Sequence, residues 1–270
     1  MIAQTARLTL FIGFLVAIGL LAVFLKVAEL VTSRPIDHTF WAQRCFRGAT
    51  GCLGLNVTAH GQPSPSPALF VCNHVSWCDI PVLGGVLPAR FLSKSEVGQW
   101  PLIGFLARQA GTVFIKRGGG KISGIVDQLS DILAGGQSVM VFPEGTTSTG
   151  ITVLPFHGRL LRAAQIAGTP IQPVSIVYRR GRAQDHLAPF INDDEFLGHL
   201  WRLLRQPPPT VDVLLHPPIM PRPDDRPSEL AAALRATVLE GVGAITNGQP
   251  GITPAGDPPL FPHPSPRAFR

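Results

Sequence analysis

The sequence predicts an α/β fold, a mostly parallel sheet covered by helices, preceded by an N-terminal hydrophobic membrane-anchor helix. Three observations predict it. From residue 68 onward, short apolar runs alternate with stretches of helical spacing, the pattern of strand–helix–strand units. The runs are apolar throughout, as in strands buried on both faces of a parallel sheet. The segment Thr9–Leu25, TLFIGFLVAIGLLAVFL, carries no charge and opens the chain.

Taken in order, that first segment would form a helix of roughly 25 Å, slightly short of the roughly 30 Å hydrocarbon core. The following VAELVTSRP has no small-x-small cleavage pattern, so the helix reads as a retained anchor, spanning the bilayer or lying at its interface. Arg7 and Lys26 flank it on both sides and leave its orientation open. Residues 36–55 have the spacing of an amphipathic helix, resting on lipid or packed on the domain. NVTAHG reads as a short strand and QPSPSP as a linker. Then ALFVCN, ARFLSK, GTVFIKR, SVMVFPEG, IQPVSIVY and VDVLLHPPI read as strands. WCDIPVLGGVL, WPLIGFLARQA, KISGIVDQLSDILAGG, GRLLRAAQIAG and PSELAAALRATVLEGVGAI read as helices, the last with Ser228 as its cap. NDDEFLGHLWRLLR is left between the bilayer and an ordinary surface helix. The expected organisation is an anchor (1–32), an amphipathic helix and linker (33–67), the main domain (68–246) and a disordered Pro/Gly-rich tail (247–270).

Composition narrows the partners. Apolar residues make up 45% of the chain and charged residues 15%, with a net charge of +6 and a pI near 9.7. That balance suits an anionic lipid surface or a phosphorylated substrate as well as nucleic acid, and the apolar bias points to the membrane. The four cysteines, Cys45, Cys52, Cys72 and Cys78, read as reduced thiols in a cytosol-facing domain.

Sites in such sheets form beyond the carboxyl ends of the strands, and three strand ends carry polar residues: Asn73-His74, Lys116-Arg117, and Pro143-Glu144-Gly145-Thr146. His74 and Asp79 are five residues apart, so in a regular helix they would not share a face. In a turn stabilised by Asn73 and Ser76, Asp79 would orient one imidazole nitrogen and leave the other as a base. The plainer alternative is a histidine tied to a helix N-terminus. Cys72, His74 and Cys78 have the spacing C-x-H-x3-C, which matches no common zinc pattern, so no metal is expected. Lys116, Arg117 and Lys121 with three glycines make a cationic, backbone-rich loop suited to a phosphate or carboxylate, or simply a solvated loop. Glu144, Gly145 and Thr146 combine an acceptor with backbone donors. His74 is the better base near neutral pH, so Glu144 is given a binding role.

The blocks NHVSWCD, GTVFIKR, FPEGTTS and IQPVSIVY, in this order, resemble the glycerolipid acyltransferase family, which includes 1-acylglycerol-3-phosphate acyltransferases. The resemblance covers residues 68–220. It implies the glycerolipid acyltransferase fold on the cytoplasmic face of a membrane. It also implies transfer of a fatty acyl group from acyl-CoA or acyl-carrier protein to a lysophospholipid hydroxyl, with no cofactor and no nucleic acid partner. By position, His74 would be the general base and Asp79 its partner. Lys116 and Arg117 would hold the acceptor's head, Ser76, Glu144, Gly145 and Thr146 would contact the acceptor, and Pro173 would shape the pocket. The expected acceptor is 1-acylglycerol-3-phosphate, giving phosphatidic acid. One departure bears on it: family members acting on that acceptor often carry arginine after Glu-Gly-Thr, and here the position is Thr147. Either Lys116 or Lys121 compensates, or the acceptor is another lysolipid, such as lyso-ornithine lipid. From other classes, a non-catalytic membrane-docking protein would explain the anchor and charge but not the polar strand ends, and a serine hydrolase would need a G-x-S-x-G elbow that the chain lacks.

Overall fold

The computed structural model describes residues 2–33, 36, 38–116 and 122–248. Helix α1 (Ile2–Thr32) is longer than the uncharged segment alone and spans roughly 46 Å. It packs against helices on one side of the domain. Phe11, Ala22 and Leu25 are buried there, while Leu10, Val16, Leu20, Phe24 and Leu30 on its other side are bare. Helix α2 (His38–Leu53) follows, then β1 (Asn56–His60), β2 (Leu69–Cys72), α3 (Asp79–Val86) and β3 (Ala89–Lys94). Next come α4 (Ser95–Gly98), α5 (Pro101–Gln109), β4 (Val113–Ile115), α6 (Ile122–Ala134) and β5 (Ser138–Val141). A 3₁₀ turn (Gly158–Leu161) leads into α7 (Arg162–Ala167) and the long β6 (Ile171–Arg180). The short β7 (Ala183–Gln184), α8 (Phe196–Leu204), β8 (Thr210–Leu215) and α9 (Pro227–Thr246) complete the described chain.

The strands form one sheet in the order β1-β8-β6-β2-β5-β3-β4, with β7 on β6. Pairing is parallel except for β6–β8 and β6–β7. All four residues of β2 are buried because alternate side chains feed cores on opposite faces. Phe70 and Cys72 join α3, α8 and part of α1 and α2 on one face. Leu69 and Val71 join α6, α7 and α9 on the other. Helix α2 sits tightly on α3 because Gly84 has no side chain: a Cβ there would lie 2.3 Å from the Phe46 ring. Thus α2 is packed on the domain along one side, while Phe40 and Trp41 stay exposed.

The short strand expected at NVTAHG is β1, which pairs with β8 as the edge of the main sheet. The linker after it is stapled down by buried Gln172, whose side chain accepts from the Ser64 amide and donates to the Gln62 and His216 carbonyls. Ser228 does not cap α9. The helix starts one residue earlier, with Pro227 in its first turn and Arg226 at the cap position, where proline's missing N–H costs nothing. Arg117, Lys121 and the tail beyond Gly248 lie outside the described residues.

Candidate active site

Beyond the end of β2 the chain leaves the sheet through Asn73. Its buried side chain continues the ladder in place of backbone, donating to the Ile176 carbonyl at 2.9 Å and accepting from the Ile176 amide at 2.8 Å. This fixes the exit direction of His74. The chain then folds back, and α3 begins at Asp79. Asp79 Oδ2 accepts from His74 Nδ1 at 2.8 Å, from the Val75 amide at 2.7 Å and from the Ser76 amide at 3.0 Å. Oδ1 accepts from the Tyr178 hydroxyl at 2.7 Å. This carboxylate is fully buried yet receives four hydrogen bonds and sits in the first turn of a helix, where the backbone dipoles favour negative charge. Burial, then the charge of Asp79, hold the Tyr178 phenol well above its ordinary pKa, so the hydroxyl remains a donor.

With Nδ1 donating to Asp79, His74 Nε2 carries the lone pair. The imidazole stacks on Phe142, with centroids 4.0 Å apart and planes 14° from parallel, and it forms part of the wall of a cavity of about 860 Å³. The cavity runs beneath α1 and α2 and is lined mainly by apolar side chains, among them Leu15, Leu21, Trp41, Phe91 and Ile103. Gly145, Thr146 and Thr147 form its rim beside His74. Gly145 has φ +70°, a left-handed conformation that glycine adopts at little cost. The Thr147 hydroxyl donates to the Phe190 carbonyl.

Glu144 is placed differently from the binding role expected of it. It is 4% exposed, and its oxygens accept from the His74 amide at 2.7 Å and the Leu154 amide at 2.9 Å. Burial raises its pKa, opposed by those two amide bonds. It braces the back of the turn. Ser76 is likewise fully buried and contributes its amide to Asp79, so its side chain does not face an acceptor. Pro173 lies inside β6 opposite Val71. By strand alternation it points with Ser175, whose hydroxyl bonds the α9 carbonyl of Val238, away from the cavity. Lys116 is exposed at the end of β4 and is not on the cavity wall. The structure therefore brings His74 and Asp79 together with Gly145 and Thr146 beside them, keeps Ser76 and Glu144 buried behind the turn as its support, and places Lys116 and Pro173 elsewhere.

Cys72 and Cys78 are buried free thiols whose pKa values burial pushes up, which leaves them poor nucleophiles and poor metal ligands. Three residues missed at the sequence level complete the site: Tyr178, Phe142 and Trp77. Tyr178 had a signal, as the chain's single tyrosine on a strand apolar enough to be buried, where a phenol needs an acceptor.

The chain's relatives bear on what this geometry does. A family model described as Acyltransferase matches residues 56–177. A lyso-ornithine lipid O-acyltransferase from Pseudomonas aeruginosa is 44% identical over 252 residues, covering 89% of this chain and 97% of that protein. The chain belongs to the acyltransferase family. A 1-acyl-sn-glycerol-3-phosphate acyltransferase from Neisseria gonorrhoeae is 34% identical over 170 residues, covering 62% of this chain and 67% of that protein. The crystal structure of the 1-acyl-sn-glycerophosphate acyltransferase PlsC from Thermotoga maritima shares the fold, with a TM-score of 0.65 at 24% identity over 90% of this chain and 97% of that one. Its mostly parallel sheet follows the glycerolipid acyltransferase fold expected from the four sequence blocks.

Proposed function

We propose that this acyltransferase moves a fatty acyl group from an acyl-CoA or acyl-carrier-protein thioester to the free hydroxyl of lyso-ornithine lipid at a membrane surface. The observation that carries the reaction is His74, backed by the buried Asp79 and opening through Nε2 onto a largely apolar cavity. His74 Nε2 takes the proton of the acceptor hydroxyl as its oxygen attacks the thioester carbonyl. The tetrahedral anion collapses, the C–S bond breaks, and the imidazolium returns the proton to the departing thiolate. The products are an ester and a free thiol. Asp79 holds the ring and stabilises its transient positive charge. The amides of His74, Val75, Ser76, Gly145 and Ser148 are already engaged within the turns. Donors for the oxyanion are therefore sought at Thr146 and Thr147 on the rim.

Three points support lyso-ornithine lipid over the 1-acylglycerol-3-phosphate expected first. Lyso-ornithine lipid acyltransferases from Pseudomonas aeruginosa and Rhodobacter capsulatus align over most of this chain, the latter at 32% identity. Thr147 replaces an arginine and spends its hydroxyl on Phe190. Glu96 and Glu195 border the cavity together with Lys94, and this net negative charge suits the ammonium of ornithine better than a phosphate. Membrane association is supported by the bare apolar face of α1 and by the exposed Trp41 on α2 and Trp100 at the start of α5. Because α1 also walls the cavity along its length, it is placed to lie in the interface.

The test is a panel of lysolipids offered with acyl-CoA and with acyl-carrier protein, read by mass spectrometry. Acylation of lyso-ornithine lipid well above 1-acylglycerol-3-phosphate is expected; the reverse order would overturn the acceptor assignment. Removal of residues 1–32 should release the protein from membranes, and full solubility of the wild type would refute the anchoring.

A further inference from the structure

His199 lies on α8 and belongs to none of the strand-end motifs, yet it is 1% exposed and both of its ring nitrogens are engaged. Trp77 Nε1 donates to its Nδ1 at 3.0 Å. A tryptophan N–H is only ever a donor, so Nδ1 must be unprotonated and the proton must sit on Nε2. Nε2 then donates to the Pro189 carbonyl at 3.1 Å. The two partners belong to different segments, of which Trp77 and the neighbour of Pro189, Phe190, line the cavity. Trp77 is on the His74–Asp79 turn and packs on Phe196 with centroids 4.9 Å apart. Pro189 precedes Phe190, whose ring meets the edge of His199 at 5.2 Å. Phe190 also donates its amide to the Val75 carbonyl at 2.9 Å and receives the Thr147 hydroxyl. Trp77, Phe190 and Phe196 all face the cavity.

We propose that His199 is a positioning residue of the acyl-transfer site: in its neutral form it ties the His74–Asp79 turn to the 189–196 wall and so sets the shape of the substrate cavity. The proposal rests on the acyl-transfer reading above. It gives the site a second, acid-side sensitivity. Protonation would put an N–H on both nitrogens, and Nδ1–H would oppose the Trp77 N–H. The two rings would have to part, loosening the wall on both sides. Burial lowers the His199 pKa, and Arg202 on its own helix lowers it further. Asp194 acts the other way but is itself held by the Arg202 fork at 2.9 and 2.8 Å. The neutral ring is thus the resting form near neutral pH, and the loss comes on acidification below the ordinary histidine range.

Two arms test this. In the first, initial rates are measured from pH 5 to 8 for the full-length wild type, Trp77→Phe, His199→Leu and His199→Asn, with acyl-CoA and lyso-ornithine lipid. Trp77→Phe and His199→Leu should raise KM for the lysolipid about tenfold, the worth of one buried hydrogen bond, while kcat changes little. His199→Asn supplies a carbonyl oxygen where Nδ1 was and should recover most of the KM. Its rate should fall less steeply on the acid side than that of the wild type, in which protonation of His199 loosens the wall. Unchanged KM and pH profile in His199→Leu, or equal losses in the Leu and Asn variants, would overturn the proposal. In the second arm, indole fluorescence is titrated with acid in the His74→Ala protein, where turnover is not needed. A transition absent from the His74→Ala/Trp77→Phe double variant is expected. If it is seen and no lysolipid is acylated by the wild type, the acyl-transfer reading has failed while the His199–Trp77 geometry stands. If it is missing, the proposal has failed whatever the kinetics.

Discussion

The described residues include two histidine–aspartate pairs of nearly the same length. His74 Nδ1 lies 2.8 Å from Asp79 Oδ2, and His60 Nε2 lies 3.0 Å from Asp212 Oδ1. Their surroundings differ. Asp79 receives only neutral amide and hydroxyl donors besides His74, so its charge is directed at one imidazole. Asp212 also accepts from Arg179 Nε at 2.9 Å, so a permanent cation shares its charge. The second nitrogen of His74 faces a cavity, whereas His60 Nδ1 is buried without a partner among the described residues. A histidine–carboxylate distance alone does not mark a base. A free nitrogen facing space for a substrate, and a carboxylate without a competing cation, separate the two.

Exchanging the carboxylates should show the largest contrast. Asp79→Asn is expected to lower kcat by about 10²–10⁴-fold, the usual worth of a positioned acid–base group. Asp212→Asn should leave kcat within a few-fold and cost about 1–3 kcal/mol of stability by orphaning its donors. Similar kinetic losses in both would erase the distinction. A smaller effect is expected from Tyr178→Phe, which strips one donor from Asp79 Oδ1. Stability should fall by about 1–2 kcal/mol and kcat by roughly tenfold, with KM little changed.

The smallest effect should come from the face of the sheet away from the cavity. Burial lowers the His216 pKa to about 4, and its Nε2 meets the Ser175 hydroxyl at 2.8 Å. The folded pKa lies below the ordinary value near 6.5, so the unfolded chain binds the extra proton first as pH falls. The contribution is complete above about pH 6.5 and declines towards pH 4. His216→Gln should flatten the fall in urea midpoint between pH 7 and 5 without altering transfer at pH 7.5. An unchanged slope would remove His216 from the account.

Much of this was legible in the sequence because strands buried on both faces leave continuous apolar runs and a crossover sheet gathers their ends. The turn joining His74 to Asp79 was legible because five residues cannot place two side chains on one helical face. What was not legible depends on contacts across long stretches of chain. Glu144 sits at a strand end like His74, yet it turns inward to hold amides 70 and 10 residues away in sequence. Pro173 was named from its block, but strand alternation points it to the opposite face. Tyr178 and His199 reach the site from 99 and 122 residues beyond their partners, and no local spacing encodes that.

The most direct measurement is acyl transfer by purified His74→Ala and His60→Ala proteins, matched for folded content and assayed with lyso-ornithine lipid and a labelled acyl thioester. His74→Ala is expected to form no product above the uncatalysed background while His60→Ala turns over at near wild-type kcat. Wild-type turnover by His74→Ala would contradict the role of His74 as the base.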